Sequence, residues 1–192
     1  MEPGPSNVHP RITEALARPT IGHLDPEFIR MMDELKTLLQ YAFQTGNRLT
    51  LPVSAPGSAG MEACFTNLVE EEDKIIVCIN CVLGGRVQQN IERLGGTAIL
   101  VESALKRHPD ARILAFVHTE TSTGARFDAR TLCKLAKKYD CLTLVDALTS
   151  LTGSELRVDE RGIDAVHSGS QKYLSCVSGL SPVSCNEAAL KR

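Results

Sequence analysis

The chain of 192 residues contains no tryptophan, and aromatic residues make up only 4% of it. Any core must therefore rest on aliphatic packing. An excess of charge of one sign is also lacking, since 21 Lys and Arg face 23 Asp and Glu for a net charge of −2. That balance removes the basic footprint of a general nucleic-acid binder. No apolar run approaches the roughly 18 residues of a membrane helix. The first residues, Met-Glu-Pro-Gly-Pro-Ser, show neither the basic patch nor the apolar stretch of a secretory leader. Internal repeats and low-complexity tracts are missing too. What is present is ordinary globular composition, 43% hydrophobic and 23% charged, enough for one domain with a substantial core. These features predict a cytoplasmic protein with neither nucleic acid nor membrane as partner.

The 7 cysteines are Cys64, Cys78, Cys81, Cys133, Cys141, Cys176 and Cys185. They are scattered through apolar segments, where a free thiol acts as a small buried hydrophobe. Cys78 and Cys81 form one C-x-x-C pair, the spacing of redox and metal sites. A single pair cannot complete four-coordinate zinc, so a structural reading stands ahead of a redox or metal one.

Short aliphatic runs alternate with helical patterns. The runs at 75–79, 97–101, 113–117, 142–145 and 165–166 are nearly continuous in apolar residues, as in a parallel sheet covered on both faces. Residues 26–43 carry Phe28, Ile29, Met32, Leu35, Leu38, Leu39 and Phe43 at helical period, with Asp25 as N-cap and Pro26 at the first position. Further helices are predicted at 58–69, 85–94 and 128–139. The alternation predicts a doubly wound α/β domain, a mostly parallel sheet with helices on both faces. The crossover at 102–111 is near the minimum for a parallel connection. Either its helix is little more than 103–108, or the strands it joins are not adjacent. Pro3, Pro5, Pro10 and Pro19 predict an extended arm over residues 1–20, outside the sheet.

Ligands in open α/β sheets bind beyond the carboxyl ends of the strands. Asp146 follows one strand, His118-Thr119-Glu120-Thr121-Ser122-Thr123-Gly124 another, and His167-Ser168-Gly169-Ser170-Gln171-Lys172 a third. Ser54-Ala55-Pro56-Gly57-Ser58-Ala59-Gly60 opens a helix. Each has a bland account. A Gly/Ser turn is how many helices begin, an Asp can cap a turn, hydroxyls satisfy turn backbone, and a loop lysine is usually solvated. Together they supply an anion cradle at a helix start, an acid and a lysine. Those are the parts that pyridoxal phosphate chemistry requires.

The chain resembles the class V (fold type I) aminotransferases that depend on pyridoxal 5'-phosphate, in their alanine–glyoxylate and serine–pyruvate group. The matching residues are Gly4-Pro5-Ser6-Asn7-Val8-His9-Pro10-Arg11, Gly57-Ser58-Ala59-Gly60-Met61-Glu62-Ala63, and Asn80 with Gly84-Gly85-Arg86. They continue through Glu120-Thr121-Ser122-Thr123-Gly124, Val145-Asp146-Ala147, Gly162-Ile163-Asp164 and Ser168-Gly169-Ser170-Gln171-Lys172. The resemblance implies Lys172 as the Schiff-base lysine and Asp146 as partner of the pyridine nitrogen. It implies Gly57, Ser58 and Gln171 at the phosphate, Thr121 at the ring hydroxyl, and Leu83 against the ring. It further implies a homodimer that moves an amino group from alanine or serine to glyoxylate or another 2-oxo acid.

Several positions depart from that family's pattern. Ala55 and Pro56 interrupt the phosphate loop, and proline restricts it. Leu83 stands where an aromatic ring stacks on the cofactor, which loses ~1 kcal/mol beyond area burial. His167 replaces a common Tyr, Arg161 an aromatic, and Ser178 a Pro. Relatives continue into a smaller C-terminal domain that carries the substrate-binding arginine, whereas this sequence stops at Lys191-Arg192. The expectation is an N-terminal arm over 1–20 and an incomplete cofactor-binding large domain over 21–192. A catalytically inactive member that keeps the fold, and possibly the cofactor, is the alternative.

Overall fold

The computed structural model describes residues 4–78, 90–95, 97–99 and 104–192. Seven strands form one sheet: β1 (Leu49–Val53), β2 (Lys74–Cys78), β3 (Thr97–Ile99), β4 (Ile113–Val117), β5 (Leu142–Asp146), β6 (Ala165–His167) and β7 (Ser181–Cys185). Their spatial order is β1-β7-β6-β5-β4-β2-β3. The five strands from β3 to β6 pair in parallel, and β7 runs antiparallel to both β6 and β1. The described helices are α1 (Pro10–Leu16), α2 (Pro26–Phe43), α3 (Gly57–Leu68), α4 (Ala104–Arg107), α5 (Ala129–Lys137) and α6 (Val158–Arg161), with a further helical stretch at 90–93. Among the described residues no helix is long and apolar enough to cross a membrane.

Alternation along the strands divides the core into two layers, as expected where both faces of a sheet are covered. Ile75, Val77, Ile113, Ala115 and Leu144 pack with Met61, Cys64, Phe65 and Leu68 of α3. Ile76, Leu114, Phe116 and Val145 face the other way, onto Phe43 of α2, Leu105 of α4, Cys133 of α5 and Val158 of α6. The expected two-faced, mostly parallel sheet is therefore present. The short crossover is resolved by both of its readings at once. Among the described residues its helix is Ala104–Arg107, and the strands it joins, β3 and β4, lie on opposite sides of β2.

One expectation needs correction, and one strand lies outside the predicted set. Residues 1–20 are not extended throughout, because Pro10–Leu16 is helical. Pro10 at the helix start fixes a helical φ, and the His9 side chain accepts from the Arg11 N–H, 3.2 Å away. The segment does stay out of the sheet, and α1 buries no residue. Strand β1 was not expected at all. It is an edge strand whose Pro52 lies opposite Pro182 of β7, so the missing N–H donors fall together.

Candidate active site

The site is built where β5 and β6 end and α3 begins. Asp146, the last residue of β5, lies in register with His167, the last of β6. The Asp146 carboxylate is buried, and its Oδ1 accepts the Leu148 N–H at 2.8 Å. His167 is buried, and neither ring nitrogen has a hydrogen-bond partner. Burial pushes its pKa below the ordinary value of 6.5, against the opposing pull of the Asp146 charge.

Helix α3 starts from Pro56, and no side chain caps it. The first-turn N–H groups of such a helix attract anions through their donors and the helix dipole. Gly57, Ser58, Asp146, His167 and Gln171 line a cavity of about 120 Å³ at this end. Two glycines border it, each against the end of the flexible Leu148 side chain. A Cβ on Gly57 would sit 2.7 Å from Leu148 Cδ1, and one on Gly169 would sit 2.4 Å from the same atom. Gln171 Oε1 is buried there without a hydrogen-bond partner. Buried polar atoms without partners are uncommon and call for a reason.

Lys172 faces a second cavity, of about 560 Å³, lined also by Gly4, Ser6, Glu120, Thr121 and Thr149. Consecutive residues Gln171 and Lys172 thus serve the two cavities separately. The structure brings Gly57, Ser58, Asp146 and Gln171 together at one, and Lys172 with Thr121 at the other. Leu83, expected against the cofactor ring, lies outside the described residues, as does Cys81 of the C-x-x-C pair.

The serines around Lys172 hold the loop. Ser168 Oγ donates to the Ala147 carbonyl at 3.0 Å, Ser181 Oγ donates to the Ser168 carbonyl at 2.6 Å, and Ser170 Oγ donates to the Val177 carbonyl. Residues near the N-terminus complete the support. The Ser6 N–H donates to the Gln171 carbonyl at 2.9 Å, and Ser6 Oγ donates to the Lys172 carbonyl. Gly4, at φ +100°, lies beside Lys172, where an added Cβ would make an ordinary contact of 3.6 Å with Nζ. The roles of Ser6 and His167 were not assigned by sequence reasoning. Their nearest sequence signals were the Gly-Pro-Ser run and the departure from Tyr.

His118 does not join the site. It is fully buried, and its Nε2 accepts from Arg161 Nη1 at 3.0 Å. Desolvation first, then the Arg161 and Arg126 charges, push its pKa down to about 4. The Arg161 departure therefore has a structural counterpart in His118.

The donor set suits pyridoxal phosphate: a helix start with glycine at its mouth for an anion, a buried carboxylate and a lysine on a braced loop. The chain is 37% identical to an alanine–glyoxylate aminotransferase of Drosophila melanogaster, over all of this chain and 52% of that protein. It is 34% identical to an (S)-ureidoglycine–glyoxylate transaminase of Bacillus subtilis, over 97% of this chain and 48% of the other. The crystal structure of an alanine–glyoxylate aminotransferase from Nostoc sp. superposes with a TM-score of 0.94 at 39% identity, covering 98% of this chain and 53% of that one. The chain spans about half the length of the curated relatives it matches. The family profile for aminotransferase class-V matches residues 89–192, and the fold matches the pyridoxal-phosphate-dependent fold type I enzymes. The chain belongs to the class-V aminotransferase family.

Proposed function

We propose that this chain binds pyridoxal 5'-phosphate and moves an amino group from alanine or serine to glyoxylate or another 2-oxo acid. The observation that carries the reading is the convergence of Asp146, Gln171 and the uncapped start of α3 on one cavity, with Lys172 next in the chain to Gln171. Residues 21–192 are the cofactor-binding large domain in this reading, with 1–20 as an arm. Gly57 and Ser58 hold the phosphate through backbone N–H groups, and the Gln171 side chain adds a further polar contact. Asp146, kept from water, holds a proton on the ring nitrogen by charge. The Thr121 hydroxyl pairs with the ring hydroxyl, and Leu83 is assigned the apolar contact on the ring. When bound, the cofactor supplies an electron sink for charge developing at the substrate α-carbon. Lys172 would hold the cofactor through Nζ, and the same amine would serve as the base for the substrate α-proton.

A second copy of the chain is proposed as partner. Ile29, Leu38 and Tyr41 of α2 are exposed at 49%, 56% and 77%, apolar surface that an interface between copies would cover. Light scattering is expected to give a dimer.

One observation favours cofactor binding without turnover. Among the described residues, no arginine lines either cavity to take a substrate carboxylate. The deciding experiment adds pyridoxal phosphate and follows visible absorbance, then adds alanine and glyoxylate. An absorbance change that Lys172→Ala abolishes, with pyruvate formed, supports the transaminase. The same change without pyruvate supports the inactive binder, and no change contradicts both.

A further inference from the structure

On the side of the sheet covered by α3, one helical face runs directly along β7. A Cβ on Gly60 would fall 1.8 Å from Ser181 Oγ and 3.5 Å from Val183 Cγ2. Cys64 is one helical turn beyond Gly60, and Cys185 continues the Ser181–Val183 face by two residues, so both side chains lie along the same contact. Both are buried in the same apolar layer, and both line a cavity of about 450 Å³. Leu51 and Leu190, which line it too, are substantially exposed, so the cavity gives small solutes a route to the sulfurs.

We infer that Cys64 and Cys185 are a dithiol site that a peroxide oxidises to a reversible disulfide joining α3 to β7. Each thiol is the main influence on the other, and their pairing holds the Cys185 pKa below the ordinary thiol value and pushes Cys64 well above it. By contrast, burial pushes Cys78 up to about 11, Cys133 to about 11 and Cys141 to about 12. The thiolate is the nucleophile in such chemistry, so Cys185 attacks first. Its sulfur bonds to one peroxide oxygen, the O–O bond breaks, and the departing hydroxide takes up a proton to leave as water. The resulting sulfenic acid is attacked by the Cys64 sulfur. The S–O bond breaks, and the second hydroxide leaves as water with the Cys64 proton. The pair loses two electrons in all, and one peroxide becomes two waters. A thiol reductant reverses the change.

The test treats the whole chain with hydrogen peroxide, alkylates the remaining thiols in denaturant, and maps the digest by mass spectrometry. A joined species holding the Cys64 and Cys185 peptides, separated by dithiothreitol, is expected. The oxidised protein should also melt higher by roughly 5–15 °C, because the bridge closes a long loop. In Cys64→Ser, a sulfenic acid on Cys185 should be captured by dimedone. The inference is overturned if Cys64 and Cys185 both remain alkylatable after Cys133 or Cys141 has reacted, or if Cys64 is joined to a different cysteine. The mapping on unmodified protein decides alone if Cys64→Ser fails to fold.

Discussion

Gly60→Ala tests whether α3 is pressed onto β7 as tightly as the geometry requires. In an ordinary helix interior this change is stabilising by about 1 kcal/mol, because alanine loses less backbone freedom than glycine. Here the new methyl would sit 1.8 Å from Ser181 Oγ and 2.7 Å from Ser181 Cβ. Overpacking of this kind costs about 1–3 kcal/mol. Ser181 cannot swing aside freely, since its Oγ donates to the buried Ser168 carbonyl at 2.6 Å. Leaving that carbonyl unpaired costs about 1–3 kcal/mol more. The sum is a net loss of about 3 kcal/mol, or roughly 6–12 °C in thermal midpoint for a domain of this size. Thermal and urea unfolding, followed by circular dichroism, measure it. Adding Ser181→Ala removes the nearest atom and should recover part of the loss in a double-mutant cycle. A Gly60→Ala protein as stable as the parent, or more so, would refute the close approach.

Acid should weaken the fold partly through His118, whose pKa of about 4 lies below the ordinary 6.5. The folded state binds the proton more weakly, so this contribution is complete above pH 6.5 and is lost as pH falls toward 4. By linkage the effect is on the order of 3 kcal/mol when fully developed, most of it from burial of the ring. His118→Gln should flatten that part of the pH–stability profile, and an unchanged profile would contradict the assignment. His167 acts in the same direction, so the difference between parent and variant is the quantity to read. Asp164→Ala should cost about 3 kcal/mol in urea unfolding. The Asp164 carboxylate accepts from the Thr143 N–H, Thr143 Oγ1 and Asn186 Nδ2 at 2.8–2.9 Å, and all three would lose their partner. Ser6→Ala should weaken pyridoxal phosphate binding several-fold in an absorbance titration while leaving the melting temperature nearly unchanged, since it loosens only the bracing of Lys172.

The parts of the fold legible in the sequence are those where local pattern and burial coincide. Strands β2, β4 and β5 are continuous aliphatic runs because helices cover both faces. Helix α2 shows its cap and period plainly, with Asp25 Oδ1 accepting the Glu27 N–H at 2.8 Å. Strand β1 is hidden because Leu49-Thr50-Leu51-Pro52-Val53 carries a proline that only its place at the sheet edge excuses. Helix α1 is hidden because four nearby prolines suggest extension, while Pro10 in fact starts a turn. Gly57, Asp146 and Lys172 are legible as candidate site residues because they stand beside strand or helix ends. The work of Ser168 and Ser170 is not, since hydroxyls that brace a loop look the same in sequence as hydroxyls that bind a ligand. Ser6 acts across 166 positions of chain, a distance no local pattern spans.

The central claim is that Lys172 carries pyridoxal phosphate beside Asp146 and the start of α3. Reducing the protein with borohydride in the presence of the cofactor, then mapping the digest by mass spectrometry, tests it directly. The account predicts a cofactor adduct on the peptide containing Lys172, weakened when Asp146→Asn is introduced and lost in Lys172→Ala. No adduct, or an adduct distributed over surface lysines such as Lys106 and Lys134, would contradict it.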